Sequence, residues 1–351
     1  VSSAANDESV RAAARRLENG ELVAFPTETV YGLGADAENP DAVALIYRAK
    51  GRPANHPLIV HLAQGADVGY WSSDLNRHAI ALIDRFWPGP LTLILKRAAH
   101  IPDAAAGGQQ SIGLRCPAHP MAQALLSHFK AGRGGIAAPS ANRFGQVSPT
   151  TAAHVWNEFH DVPLVNCVLD GAQSEVGIES TIVDLSRGMP VLLRPGHISA
   201  QQVGETLGLP LANADEAAPR ASGTLASHYA PSTPVILVAT RTLAATMQKL
   251  SAAGQRIALM HHTNLAQIKS LAEHDCPTRF IQGNGLLTVA IQMVDDPIGY
   301  AHALYATLRQ LDDAKTNVIV IESVPELQQW YAVNDRLQRA AFGSAQFLSR
   351  L

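Results

Sequence analysis

Lys50 and Arg52 stand one residue apart at the end of a helix-like run. Phosphates use such a pair, lysine as a compact charge and arginine as a planar fork. The dipole of a helix ending at Ala49 would favour the same two cations, so both readings stand on these residues alone. Upstream lies Pro26-Thr-Glu-Thr-Val-Tyr-Gly-Leu-Gly34, where two hydroxyls, a carboxylate and a phenol crowd into a strand exit. Its glycines do not make a GxGxxG dinucleotide fingerprint, and turn chemistry alone could account for them. Downstream come His56-Pro-Leu-Ile-Val-His61, Ser111-Ile-Gly-Leu-Arg115, Ala137-Ala-Pro-Ser-Ala-Asn142 with Ser148-Pro-Thr150, Gly177-Ile-Glu-Ser-Thr181, and Arg194-Pro-Gly196. There is no GxSxG elbow, no Walker lysine loop, no HExxH and no CxxC pair. Most of these clusters offer cations or hydroxyl and amide donors with few carboxylates. That is the lining of a pocket for phosphate and carboxylate groups.

The elements that must hold these residues follow from periodicity. Asp7–Asn19 predicts a helix capped by Asp7. Strands are expected at 21–25, 57–62, 91–95, 111–115, 135–138, 163–169, 180–185 and 191–194. Helices are expected at 40–49, 75–86, 120–129 and 150–157. Several strands follow one another without room for a helix, which predicts a mixed sheet. From Gly208 to Pro234 the chain is rich in Ala, Pro, Ser and Gly, a length typical of a linker or a lid. Beyond it, strands at 235–239, 256–260 and 317–321, with helices between them of which 301–311 is the clearest, predict a second, smaller α/β domain.

The 351 residues are 47% hydrophobic and 16% charged, which excludes a disordered chain. Lys plus Arg number 27 against 30 Asp plus Glu. Residues 1–208 hold 16 against 19, which argues against a strong nucleic-acid module. Cys116, Cys167 and Cys276 are far apart, so neither a disulfide framework nor a zinc knuckle is expected. No apolar run approaches a membrane span, and the opening residues lack a secretory core. A cytoplasmic setting is expected.

In their order and spacing these motifs, with Trp87-Pro-Gly-Pro-Leu-Thr92, resemble the YrdC-like domain of threonylcarbamoyl-AMP synthases, from roughly residue 8 to roughly residue 207. His228-Tyr-Ala-Pro231, Ala303-Leu-Tyr305 and Ala332-Val-Asn-Asp-Arg336 resemble the linker and C-terminal domain of the long, two-domain form. The resemblance implies a twisted mixed α/β sheet around a large concave cavity in residues 1–208. A linker or lid would follow at 209–233, carrying Ser222, Gly223, His228 and Tyr229, and then a Rossmann-like α/β domain at 234–351. It implies a synthase that joins L-threonine, bicarbonate or CO2, and ATP into threonylcarbamoyl-adenylate, releasing pyrophosphate. Partner machinery then carries the group to N6 of adenosine 37 in tRNAs reading ANN codons.

By the same resemblance Lys50, Arg52, Ser140 and Asn142 are the catalytic signature. Thr27, Thr29, His61, Arg115, Ala138 and Ser180 would receive threonine. Arg52, His56, Ser111, Ser140, Ser148, Arg194 and Tyr229 would surround ATP. Mg2+ is expected on the ATP phosphates, with no protein ligand assigned. Lys50 and Arg52 are expected to be solvent-accessible. His56 stands where the family commonly has Asn, and the segment Ala221–Tyr229 departs from the usual lid pattern. Two other readings compete: a non-enzymatic double-stranded RNA-binding module, and a carbamoyl-phosphate-using transferase, which normally carries zinc-finger cysteines. No membrane partner is expected, and the charge balance gives direct tRNA binding little support.

Overall fold

The strands at the centre of the first unit alternate, with a period of two, between a greasy face and a face that carries the motifs. Leu58, Val60, Leu62, Leu91, Leu93, Leu95, Ile112, Leu114 and Val183 enter one large apolar cluster. The residues between them point the other way. The computed structural model describes residues 3–225, 228–263, 280–282, 286–344 and 347. Cys276 lies outside the described residues. The chain divides into two compact units, one of residues 1–144 and 148–224, the other of residues 145–147 and 225–351. Part of the expected linker, up to Thr224, therefore clusters with the first unit.

The first unit runs α1 (Ser3–Glu18), β1 (Val23–Phe25), β2 (Gly32–Asp36), α2 (Pro40–Lys50), β3 (Ile59–Leu62), α3 (Val68–Trp71), α4 (Arg77–Phe86), β4 (Leu91–Lys96), β5 (Ser111–Arg115), α5 (Pro120–His128), β6 (Gly135–Ala137), α6 (Ala152–Phe159), β7 (Thr181–Asp184), β8 (Val191–Arg194), α7 (Ala200–Leu207) and β9 (Ala212–Asn213). Its nine strands form one sheet in the order β1-β2-β6-β3-β5-β4-β7-β8-β9. β3 with β5, β4 with β7, and β8 with β9 are parallel, and the remaining pairs are antiparallel, so the sheet is mixed as expected. Between β7 and β8 the register shifts. Val183 faces Leu192, yet Ile182 faces Arg194, so Leu193 is an extra residue in a bulge.

Three local expectations change. Asp7 does not cap α1, which starts four residues earlier; its carboxylate instead takes Arg11 at 2.9 Å and His128 at 3.1 Å. Residues 163–169 form no strand. Their backbone meets β1 only at an isolated bridge between Ala24 and Val168. The glycines of the 26–34 motif, read as turn residues, open strand β2. At Gly34 a Cβ would stand 2.7 Å from Ile136 and 2.9 Å from Phe25, so the glycine allows close sheet packing there.

The motif-bearing helix α2 is bounded by its own sequence. Asn39 accepts from the backbone N–H of Asp41 and Ala42, Pro40 opens the first turn, and Gly51 closes it in the left-handed conformation. That stop places Lys50 on the last turn and Arg52 just beyond it.

The second unit carries β10 (Val235–Val238), α8 (Thr240–Ala252), β11 (Ile257–His261), β12 (Phe280–Gln282), β13 (Leu287–Gln292), α9 (Pro297–Asp313), β14 (Val318–Glu322) and α10 (Tyr331–Ala341). Its five strands run in the order β10-β14-β11-β13-β12, parallel except for β12. At the end of β14 the buried Glu322 carboxylate accepts from the backbone N–H of His262 at 2.9 Å, the N–H of Thr263 at 3.0 Å and the Thr263 hydroxyl at 2.9 Å. Burial pushes this carboxyl up, but these donors and Thr240 outweigh it and leave its pKa below the ordinary 4.5. A depressed pKa means that the stabilisation is complete above 4.5 and is lost as the pH falls through the lower folded value. A Glu322→Gln variant should therefore lose less stability than the parent between about pH 6 and about pH 3, as read from urea midpoints. Equal acid sensitivity would contradict this role. Among the described residues no helix is long and apolar enough to cross a membrane.

Candidate active site

The strand registers line up a row of side chains on the face opposite the large core. His61 of β3 sits opposite Arg115 of β5. Thr92 of β4 comes one step beyond the Leu93–Leu114 pair and sits opposite Ile182 of β7, which sits opposite Arg194 of β8. Five adjacent strands at 4.7–4.9 Å spacing make this row roughly 19 Å long. Beside it Ile59, Gly113 and Ile94 form a second row, and Ile59, Ile94 and Ile182 pack with Ala221 into a small apolar cluster. A Cβ on Gly113 would meet Ile94 at 3.2 Å, so the glycine keeps this floor low.

One end of the row is built around Arg115. Its guanidinium donates to Thr29 Oγ1 at 2.9 Å, Glu28 Oε1 at 2.6 Å and the Gly89 carbonyl at 3.4 Å. Both members of the Arg115–Glu28 ion pair are buried. Thr27 and Thr29 share a hydrogen bond of 2.8 Å beside them. Burial, with Arg115 as the second cause, pushes the His61 imidazole down to about 3, so the ring is neutral at physiological pH. Its Nδ1–H donates to the Ile59 carbonyl at 3.2 Å.

The other end is a chain of cations. Arg194 donates to the Ser180 carbonyl at 3.0 Å, to Ser180 Oγ at 3.1 Å and to the Ser222 carbonyl at 2.8 Å. Arg52 reaches the Ser222 hydroxyl at 3.5 Å and the Pro57 carbonyl at 3.0 Å, and its guanidinium lies 5.6 Å from the centre of the Phe144 ring. His56 packs edge-on against the same ring at 5.3 Å. Burial, then Arg52 and Arg220, hold the His56 pKa below its ordinary value. Lys50 Nζ donates to the carbonyls of Ser140, at 2.6 Å, and Asn142. Burial and Arg52 hold Lys50 well below the ordinary lysine range, while Glu158 acts in the opposite sense.

The expected residues are thus largely gathered in the first unit, with corrections. Lys50 and Arg52 are not solvent-accessible: they are 3% and 7% exposed. The 140–142 turn clasps the ammonium, and Phe144 and Ser222 cover the guanidinium. Ser140 and Asn142 meet Lys50 through backbone oxygens, and the Asn142 amide donates to the Arg143 carbonyl at 2.7 Å. Ser180 bonds Thr92 at 2.8 Å as well as Arg194, so it stands mid-row between the two groups. Ala138 donates its N–H to the Ile59 carbonyl, and Ser111 opens β5 on the same face as Arg115. Ser148 donates to Glu179 at 2.6 Å, which leaves its oxygen as an acceptor. Tyr229 belongs to the second unit, where it lies 5.6 Å from the Tyr305 ring and under the Arg336 guanidinium.

Glu28, Thr92, Phe144 and Glu179 received no role from the sequence. Glu28, Thr92 and Glu179 stood within the quoted motifs, Glu28 as a carboxylate between two threonines. A groove of about 860 Å3 lined by Glu38, Tyr70, Lys130 and Arg133, among others, includes none of the expected residues.

Gly196 shows how tightly the row is held. A Cβ there would stand 2.5 Å from the Thr181 nitrogen and 2.8 Å from both the Glu179 oxygen and the Ser180 carbonyl carbon. Gly196→Ala should cost about 1–3 kcal/mol and displace Ser180. Thermal melts and turnover of that variant check this, and unchanged values in both would contradict it.

Comparison with known proteins adds an independent line. A family model described as telomere recombination matches residues 15–196, and one described as the C-terminal domain of threonylcarbamoyl-AMP synthase matches residues 198–342. The threonylcarbamoyl-AMP synthase of Pyrococcus abyssi is 34% identical over 345 residues, covering 95% of this chain and 94% of that protein. The chain belongs to the threonylcarbamoyl-AMP synthase family. The synthase of Bacillus subtilis is 37% identical over 348 residues, covering 96% of this chain and 94% of that one. The crystal structure of the Pyrococcus abyssi synthase in complex with L-threonine superposes with a TM-score of 0.83 at 33% identity, over 95% of this chain and 94% of that one. The mixed sheet and the second parallel-sheet domain are thus those of a two-domain synthase.

Proposed function

We propose that this chain makes threonylcarbamoyl-adenylate from L-threonine, a CO2-derived carbamate and ATP, releasing pyrophosphate. One observation carries the reading: Arg115, buttressed by Thr29 and Glu28, and Arg194, joined to Arg52 through Ser222, stand on one face of one sheet. The first group has the scale and polarity of an amino-acid site. The second is cationic and suits a triphosphate. The relatives' names and the threonine complex of the Pyrococcus abyssi protein support both substrates.

In this reading the threonine amine captures CO2, and the carbamate oxygen attacks the α-phosphorus as pyrophosphate departs. The protein supplies positioning and charge. Arg115 orients the amino acid, and Arg52, Lys50 and Arg194 neutralise the phosphates. Ala221 and Ser222, packed over the row, exclude water from a labile carbamate and mixed anhydride. Two backbone carbonyls, of Ser140 and Asn142, already accept from Lys50, and an incoming polyanion favours its protonated form. Mg2+ would enter with the nucleotide: the nearby side chains are mostly cationic, Glu28 Oε1 is paired with Arg115 and Glu179 accepts from Ser148, so its ligands would be phosphate oxygens and water. The product would pass to the machinery that modifies adenosine 37 of tRNAs reading ANN codons.

The test is pyrophosphate release from ATP and bicarbonate, with and without threonine. Release that ignores threonine would sink the reading. Serine lacks one methyl group, worth about 1–3 kcal/mol of discrimination. It should turn over with a kcat/KM about 10- to 200-fold below that of threonine, and parity would contradict a pocket fitted to the side chain.

A further inference from the structure

One carboxylate that acts on Lys50 lies outside the polar row. Glu158 is half-buried in the last turn of α6. A carboxylate there opposes the helix dipole, which favours cations at that end. What it meets is the turn after β6 that carries Ser140 and Asn142: the Arg143 N–H donates to Glu158 Oε1 at 2.9 Å. The same turn holds Lys50. Lys50 Nζ donates to the Asn142 carbonyl and, at 2.6 Å, to the Ser140 carbonyl, and the Phe144 N–H donates to the Lys50 carbonyl at 2.9 Å.

The carbonyl of Asn142 and the N–H of Arg143 belong to one peptide unit, and that peptide is trans. In a trans peptide the two groups point in opposite directions. The ammonium and the carboxylate therefore stand on opposite sides of a single peptide, within about 8 Å of each other. Each charge polarises the peptide and strengthens the hydrogen bond that the other makes. The charged side chains acting on Lys50 are Arg52, which disfavours its ammonium, and Glu158, which favours it. Arg143, on the turn between them, has its guanidinium on Asp161 at 2.5 Å. Glu158 is thus the counter-charge of a lysine whose own burial works against protonation.

We propose that Glu158 is a positioning residue for Lys50, acting through the peptide between Asn142 and Arg143: it fixes that carbonyl on the ammonium and supplies the counter-charge behind it. This deepens, and rests on, the reading of Lys50 as a cation for the phosphates. Glu158 itself meets no substrate atom; it sets the place and the charge of the residue that does.

Glu158→Gln in the full chain tests it. The amide oxygen still accepts from Arg143, so the turn is kept and only the charge is lost. Lysine labelled with 13C at Cε reports the protonation of Lys50 directly, its resonance assigned by Lys50→Met. At the pH where Lys50 of the parent is half protonated, the variant should hold about a quarter or less in the protonated form. The kcat/KM for pyrophosphate release should fall with it, about 2- to 10-fold on the alkaline limb and little at the acid end. The ionisation of threonine and the CO2 balance are common to both proteins and cancel. Coincident titrations of Lys50 in the two proteins would show that Glu158 only braces the turn, and would overturn the proposal. So would a loss of turnover that is the same at every pH. Should Glu158→Gln not fold, Glu158→Ala decides, because losing the acceptor as well must lower the Lys50 titration at least as far. Pyrophosphate release that ignores threonine in the parent would count against the substrate reading instead, and the Lys50 titration would still decide this one.

Discussion

An Arg115→Met variant should be less stable than the parent by about 3–5 kcal/mol and should not turn over threonine. The stability loss comes from Glu28. Arg115 and Glu28 are both buried and 2.6 Å apart, so removing the cation leaves a carboxylate out of water without its counter-charge. The activity loss has a separate origin, the missing fork for the substrate carboxylate. The two can be separated. Adding Glu28→Gln to Arg115→Met removes the stranded charge and should restore most of the urea midpoint while turnover stays absent. If the single variant unfolds at the parental midpoint, the ion pair does not have the energetic weight its burial implies.

Lys50→Met should lower adenylate formation about 100- to 1,000-fold, the range for losing one preorganised donor at developing charge. The same change strips the Ser140 and Asn142 carbonyls of their shared donor and should cost about 1–3 kcal/mol. The lysine is both a site cation and a clasp on the turn that carries half of the signature residues. Methionine keeps the volume of the stem, so packing loss contributes little. Pyrophosphate release and chemical denaturation on the same samples separate the two effects. Turnover at the parental rate would remove Lys50 from the chemistry.

Some of the short strands were legible in the sequence. Ser111–Arg115 and Val191–Arg194 fall at the expected residues, because both sit between breakers and are rich in branched apolar side chains. β2 was hidden: Gly-Leu-Gly-Ala-Asp has the composition of a turn, and only the neighbours Phe25 and Ile136 explain why small residues form a strand there. Residues 163–169 failed in the opposite sense. Their Val and Leu pattern suits a strand, yet their backbone is bridged to β1 at one residue only. Strand β13 was not assigned from the sequence, although Leu287, Val289 and Ile291 alternate with Thr288, Ala290 and Gln292. At the site, the cations and hydroxyls could be picked out by type. Their connections could not, since Arg52, Ser222 and Arg194 are far apart in the chain and meet only through hydrogen bonds that the folded loop after β9 makes.

The bulge at Leu193 governs how much change this part of the chain can tolerate. In an unbroken ladder Ile182 would face Leu193, and Arg194 would face Thr181, on the side of the pleat turned toward the large apolar cluster. The single extra residue shifts the phase and turns the guanidinium over to the polar row. Deleting the Leu193 codon would therefore restore an unbroken ladder with the arginine still opposite Ile182, whereas a change that closed the bulge while keeping Leu193 would rotate the guanidinium into hydrocarbon.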